Sequence, residues 1–174
     1  MAGQARIRVE PKREVVPVDG NLVSVERVIA APARELFGIV ADVTRHPEID
    51  GSGSVVKPKT GAPTQLKLGS TFGMSMKAVV PYSMSNAVIE FEQDRRIAWK
   101  TTLAGFLGRY IGGRIWRYEF EPVEGGTLVR ESWDISQDKQ VTLLRRGKLP
   151  AATAKNMTQT LARLATLAES PAAK

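Results

Sequence analysis

Residues 116–134 read WRYEFEPVEGGTLVRESWD. Trp116, Tyr118 and Phe120 alternate with Arg117, Glu119 and Glu121, the period of a strand with one apolar and one polar face. Glu124-Gly125-Gly126 supplies a hairpin turn. On its far side Val129, Glu131, Trp133 and Ile135 alternate with Leu128, Arg130, Ser132 and Asp134. The stretch is an antiparallel pair with one apolar face, and such a face needs a second layer to cover it. Glu131 falls in phase with Val129 and Trp133, so it is predicted to point inward. An inward carboxylate must be paired or protonated. Two outcomes satisfy this: pairing with an inward arginine, Arg114 in phase with Trp116 being the candidate, or standing as the one polar group of the pocket, placed to hydrogen-bond a ligand or donate a proton.

Upstream the strand signal continues. Residues 22–30 are β-branched and partly alternating, and Val55-Val56 is a short strand. Phe72, Met74, Met76 and Ala78 alternate with small or polar residues. Residues 83–92 admit two inner faces, Ser85/Ala87/Ile89/Phe91 or Met84/Asn86/Val88/Glu90, with a bulge able to switch between them. Ile97, Trp99, Thr101 and Leu103 alternate again. Residues 104–113, AGFLGRYIGG, place apolar side chains in a glycine-rich connection, which predicts a loop edging a cavity mouth. Two short helices interrupt the strands, over 33–42 after Pro32 and over 45–50 with Pro47 in the first turn. Residues 139–146 predict a first C-terminal helical segment. Ala154, Met157, Leu161, Leu164, Ala165 and Ala168 recur at three and four, giving an amphipathic helix over 150–168.

The only long apolar helix is the last element. The predicted fold is therefore α+β, a curved antiparallel sheet of about six or seven strands wrapped around a long C-terminal helix, with two short helices after the first strand. A cavity can remain between such a sheet and helix. Residues 1–20 read as a flexible arm with an extended piece at Arg6–Val9, 21–169 as one domain, and 170–174 as a tail.

Composition narrows the chemistry. The 174 residues, 43% hydrophobic and 25% charged, suit one globular domain with a sizeable core. Without cysteine there are no disulfides, thiolate nucleophiles, zinc fingers or iron–sulfur clusters. His46 is the single histidine, which excludes multi-histidine metal sites. No metal or cofactor is implied, and neither glycine-rich stretch has the form of a nucleotide-binding loop. His46 and Asp50 lie four apart and offer an acid–base pair, but no nucleophile elbow accompanies them. A local capping or surface role is the expectation. No run reaches about 18 apolar residues, so no membrane span is predicted. The N-terminus lacks the apolar run of a secretory signal, which makes the cytoplasm the expected location. Net charge is +7. From residue 141 onward Arg145, Arg146, Lys148, Lys155, Arg163 and Lys174 face Glu169 alone. That basic C-terminal region suits transient contact with an anionic membrane surface. No nucleic-acid motif accompanies it, and the oligomeric state is not legible.

Four phrases carry a resemblance: VERVIAAPARELFGIVADVTRHPEID at 25–50, VIEFEQDRRIAWKT at 88–101, WRYEFEPVEGGTLVRESWD at 116–134 and NMTQTLARLATLAE at 156–169. Together they resemble the START-like superfamily (SRPBCC), also called the polyketide cyclase/dehydrase and lipid-transport family or birch-pollen-allergen fold, over roughly 22–169. Arg45-His46-Pro47 stands where that family usually has an aromatic. The resemblance implies a helix-grip fold. It also implies binding or transport of a hydrophobic small molecule, such as a lipid, a polyketide-like aromatic or another apolar metabolite, in an internal cavity. Members also include cyclase/dehydratase enzymes and chaperone activators, which stand as alternatives, with binding preferred to catalysis for this chain. The family shares no catalytic motif, so none is carried over. Phe72, Met74, Met76, Trp99, Trp116, Tyr118, Glu131, Trp133, Met157 and Leu161 are the predicted ligand-facing set. Glu131 and Tyr118 are the acid or base candidates if the protein is an enzyme.

Overall fold

A computed structural model describes residues 14–77 and 82–169. Eight antiparallel strands form a single sheet: β1 (Glu14–Asp19), β2 (Leu22–Ile29), β3 (Val55–Pro58), β4 (Thr71–Met76), β5 (Tyr82–Glu92), β6 (Arg96–Leu103), β7 (Gly112–Val123) and β8 (Gly126–Asp134). Their order across the sheet is β1-β2-β8-β7-β6-β5-β4-β3. Helices α1 (Ala33–Ala41) and α2 (His46–Ile49) follow β2, separated by one 3-10 turn. After β8 come α3 (Val141–Leu144) and the long α4 (Leu149–Glu169).

Part of the expected arm is thus an edge strand, because β1 pairs with β2 from Glu14 opposite Glu26 to Asp19 opposite Leu22. The extended piece expected at Arg6–Val9 lies outside the described residues, as does Ala78. The predicted segment 139–146 is helical only over α3. Gly147 ends it with φ +72°, a conformation glycine adopts without strain.

The hairpin of residues 116–134 pairs as its alternation requires, Tyr118 opposite Glu131 and Trp116 opposite Trp133. β5 resolves its ambiguous phase by a bulge. Met84, Asn86 and Val88 face inward; then Ile89 and Glu90 together oppose the step from Trp99 to Ala98, and Phe91 takes over the inner face. The inner face packs on α4 through Met157, Leu161, Leu164 and Ala165, all buried, and on α1 through Leu36, Phe37 and Val40. Phe37 makes edge contacts with Phe91 and Phe120 at 5.4 and 5.6 Å, closing that end of the core. On the outer face Arg117 grips Glu90 with two hydrogen bonds of 2.6 and 3.1 Å, and Arg96 approaches the same carboxylate at 3.3 Å.

α2 is fixed against α4 by one backbone crossing. The Gly51 amide donates to Thr160 Oγ1 at 3.0 Å, and a Cβ on Gly51 would sit 2.1 Å from the Asn156 carbonyl oxygen. Gly51→Ala must push the helices apart. We expect it to cost about 1–3 kcal/mol, read as a lower urea midpoint with an unchanged slope.

Candidate functional site

A cavity of about 340 Å³ lies between the sheet and the first half of α4, within the range of small-molecule sites. Eight of the ten predicted residues line it: Phe72, Met74, Met76, Trp99, Trp116, Tyr118, Glu131 and Met157. Trp133 and Leu161 do not. Both face inward as predicted but lie within the packed core. Alternation identifies a face of the sheet, and it carries no information about depth along that face.

The wall continues through residues outside the predicted ligand-facing set. His46, Ile49 and Asp50 come from α2 and the residue that ends it. Met84, Asn86, Thr101 and Arg114 come from the strands, and Thr153, Asn156 and Thr160 from α4. A signal for several of them was present. Thr153, Asn156 and Thr160 put polar groups on the same helical stripe as Met157, and Asn86 interrupts the apolar inner face of β5.

His46 is buried. Its ring stacks on Trp99 at 5.4 Å and meets the edge of Phe72 at 5.7 Å. Nε2 lies 2.8 Å from the Val40 carbonyl. A carbonyl only accepts, so Nε2 carries the hydrogen. Burial lowers the histidine pKa, against smaller opposing effects of that hydrogen bond and of Asp42 and Asp50, and so favours the neutral ring. The expected capping or surface role is therefore replaced by an interior one. Asp50 does not pair with His46. Its carboxylate accepts from the backbone N–H groups of Ser52 and Val55 at 3.0 and 2.9 Å and shapes the loop.

Glu131 lies at the cavity wall, 2% exposed. The Tyr118 hydroxyl donates to its Oε1 at 2.7 Å, while Oε2 has no hydrogen-bond partner among the described residues. Burial pushes the Glu131 pKa up to about 8, with the Asp50 charge adding to the rise and the Tyr118 bond opposing it. Tyr118 is held well above its ordinary value by burial and by the neighbouring carboxyl. At neutral pH, then, Glu131 is mainly a carboxylic acid. With Oε1 occupied as an acceptor, its proton resides on Oε2, which can donate to a bound molecule. The candidate partner Arg114 is engaged elsewhere, bonding Asp138 at 2.9 Å. Register explains the choice: Tyr118 lies directly opposite Glu131, whereas Asp138 follows β8 and folds back beside Gly113.

Asn86 and Thr101, two other buried polar groups of the wall, are matched. Thr101 Oγ1 donates to Asn86 Oδ1 at 2.7 Å, and Asn86 Nδ2 donates to the Phe72 carbonyl at 3.3 Å. Loop 104–113 contributes no side chain to the lining itself. It turns outward, and Lys139 Nζ donates to the Gly108 and Arg109 carbonyls. A second concavity, on the rim by Glu92, Arg95, Arg96, Glu119 and Arg130, is a charged surface groove in which Glu92 and Glu119 face arginines at 3.4–3.8 Å. Among the described residues no three His, Cys, Asp or Glu side chains are grouped to hold a metal ion, and no helix is long and apolar enough to cross a membrane.

Comparison with known proteins agrees with this architecture. Residues 22–169 match the family model described as "Polyketide cyclase / dehydrase and lipid transport". The chain is 35% identical over 133 residues to the uncharacterized protein Rv0088 of Mycobacterium tuberculosis H37Rv, a match covering 72% of this chain and 55% of that protein. It thus spans about half the length of the curated relatives it matches. Among solved structures it resembles protein CV1439 of Chromobacterium violaceum with a TM-score of 0.66 and 15% identity, covering 87% of this chain and 99% of that one. Protein Ms6760 of Mycobacterium smegmatis gives a TM-score of 0.64 at 14% identity, covering 91% and 96%. At these identities the structural likeness concerns the fold.

Proposed function

Since this chain belongs to the polyketide cyclase/dehydrase and lipid transport family, we propose that it binds a small, largely apolar molecule in the cavity between sheet and α4. The observation that supports this best is the composition of the wall. Phe72, Met74, Trp99, Trp116 and Met157 offer an aromatic and adaptable surface, and Glu131 is a single uncompensated buried acid among them. An unpaired Oε2 in an apolar wall is a ready hydrogen-bonding point for a molecule that enters the cavity. The ligand expected on this ground is neutral where it meets Glu131 and carries an oxygen acceptor, such as a carbonyl.

The test combines two measurements. The purified chain is extracted with organic solvent, and the extract is identified by mass spectrometry. The emptied protein is then titrated with anilinonaphthalene sulfonate while tryptophan emission is followed, because Trp99 and Trp116 lie in the wall. Co-purified apolar material in the extract, together with probe binding that changes the tryptophan emission, supports the reading. An empty protein whose emission ignores the probe overturns it.

The Glu131–Tyr118 pair also favours a second reading, an acid-assisted cyclisation or dehydration. Glu131 would protonate the ligand oxygen that gains charge, and the Tyr118 hydroxyl would stabilise the carboxylate left behind. In that case Glu131→Gln lowers kcat more than it raises KM. Pure binding predicts a change in affinity alone.

A further inference from the structure

The loop expected to edge the cavity mouth leaves a different observation. Phe106, Leu107 and Tyr110 are each more than half exposed, and so is Leu143 on α3. They are held out by structure. Residues Phe106–Arg109 form a 3-10 turn closed by bonds from the Gly108 amide to Gly105 and from the Tyr110 and Ile111 amides to Leu107. Gly108 packs so tightly on the Leu103 carbonyl that a Cβ would sit 2.1 Å from it. Phe106 and Tyr110 pack edge to face at 5.9 Å, away from the core, with the Arg109 guanidinium 5.7 Å over the Phe106 ring. The Lys139 clasp joins this turn to the segment that leads into α3, so the apolar tips stand at one end of the molecule. Tyr82 and Leu149, which belong to the cavity wall, are also partly exposed, so the mouth opens beside these tips.

Five cations gather at that end, and the neighbouring Asp138 carboxylate is buried and bonded to Arg114. Arg109, Lys139, Arg145, Arg146 and Lys148 lie on the turn and around α3. No Asp or Glu occurs between residues 95 and 118 or between 139 and 168. Among the described residues none of the five cations forms an ion pair. Projecting aromatic and leucine tips, ringed by these five cations, match the two signals that hold a protein on an anionic lipid surface. The tips enter the headgroup boundary and the cations meet the phosphates.

We propose that this end of the molecule docks on an anionic phospholipid bilayer, with the cavity mouth beside the lipid. The docking does not depend on what the cavity holds. The test is co-sedimentation of the full chain with vesicles of phosphatidylcholine, alone and mixed with phosphatidylglycerol. We expect binding to the mixed vesicles and at least about tenfold weaker binding to phosphatidylcholine alone. The double variant Phe106→Ser with Leu107→Ser should bind the mixed vesicles about tenfold or more weakly. Arg145→Gln with Arg146→Gln should lose a comparable amount. These side chains are on the surface, and an unchanged circular dichroism spectrum confirms that the variants fold. Absence of binding to the mixed vesicles overturns the proposal. So does binding that the apolar double variant leaves intact and salt abolishes, because that is adsorption of a basic protein to any polyanion or to an acidic protein partner.

Discussion

Replacing Glu131 with Gln should stabilise the protein at alkaline pH and leave it nearly unchanged in acid. Gln keeps the carbonyl that accepts from Tyr118 but cannot ionise. In the wild type the folded-state pKa is about 8, against an ordinary value of 4.5. Below pH 4.5 both the folded and the unfolded chain hold this proton, and it does not affect their balance. As pH rises toward 8 the unfolded chain releases the proton while the folded chain keeps it, so stability falls. Above pH 8 the loss is complete, on the order of 5 kcal/mol if this group acted alone. His46 works in the opposite direction. Its lowered pKa means that stability is lost as pH falls below 6.5. The wild type should therefore be most stable between the two limbs. Urea midpoints taken across this range for both proteins decide the matter. The alkaline limb should flatten in Glu131→Gln while the acidic limb remains. A difference between the two proteins that does not vary with pH would show that Glu131 is not kept protonated, and the hydrogen-bond donor assigned to the cavity would be lost with it.

Leu161→Ala should cost about 2–5 kcal/mol, because a fully buried leucine is removed and the surrounding framework closes only in part. Leu161 lies one turn beyond Met157, where α4 leaves the cavity and enters the packed core with Leu164 and Ala165. The space created is therefore a new apolar void, not an enlargement of the existing cavity. The check is a chemical denaturation curve with an unchanged slope and a lower midpoint. A loss below about 1 kcal/mol would mean that α4 can settle into the gap, and the sheet's grip on the helix would be looser than its burial implies.

The two substitutions separate the roles of residues that the sequence presented as equals. Glu131 and Leu161 both follow from periodicity, one from a two-residue alternation and the other from spacing at three and four. In both cases the face was legible because a strand or helix repeats its side-chain direction over a few residues, whatever lies across from it. The same local logic located the hairpin turn at Gly125-Gly126 and left β5 with two possible inner faces that a bulge could join.

What local periodicity cannot carry is position along the buried face. Trp116 and Trp133 are direct partners across the β7–β8 pair, yet only Trp116 reaches the cavity. The line between core and cavity depends on where α4 crosses the sheet, and contacts distant in the chain set that crossing, among them Gly51 against Asn156 and Thr160. The same holds for partners. Glu131 bonds Tyr118 because register sets the two opposite each other, and Arg114 goes to Asp138 because the chain after β8 folds back beside it. His46 sits on a helix of one turn, too short for any repeat, so only the stacking of Trp99 shows that it points inward. Loop 104–113 has no periodicity either, and its direction is decided by the Lys139 clasp 30 residues away in sequence. The sequence alone determined the order of elements from β2 onward, the two faces of the β7–β8 hairpin and the apolar stripe of the last helix, because these are properties of a few consecutive residues. Tertiary structure alone decided which inward residues meet the cavity, which polar groups pair and which apolar side chains stay in solvent, because each of these depends on the spacing between elements that only the folded chain brings together.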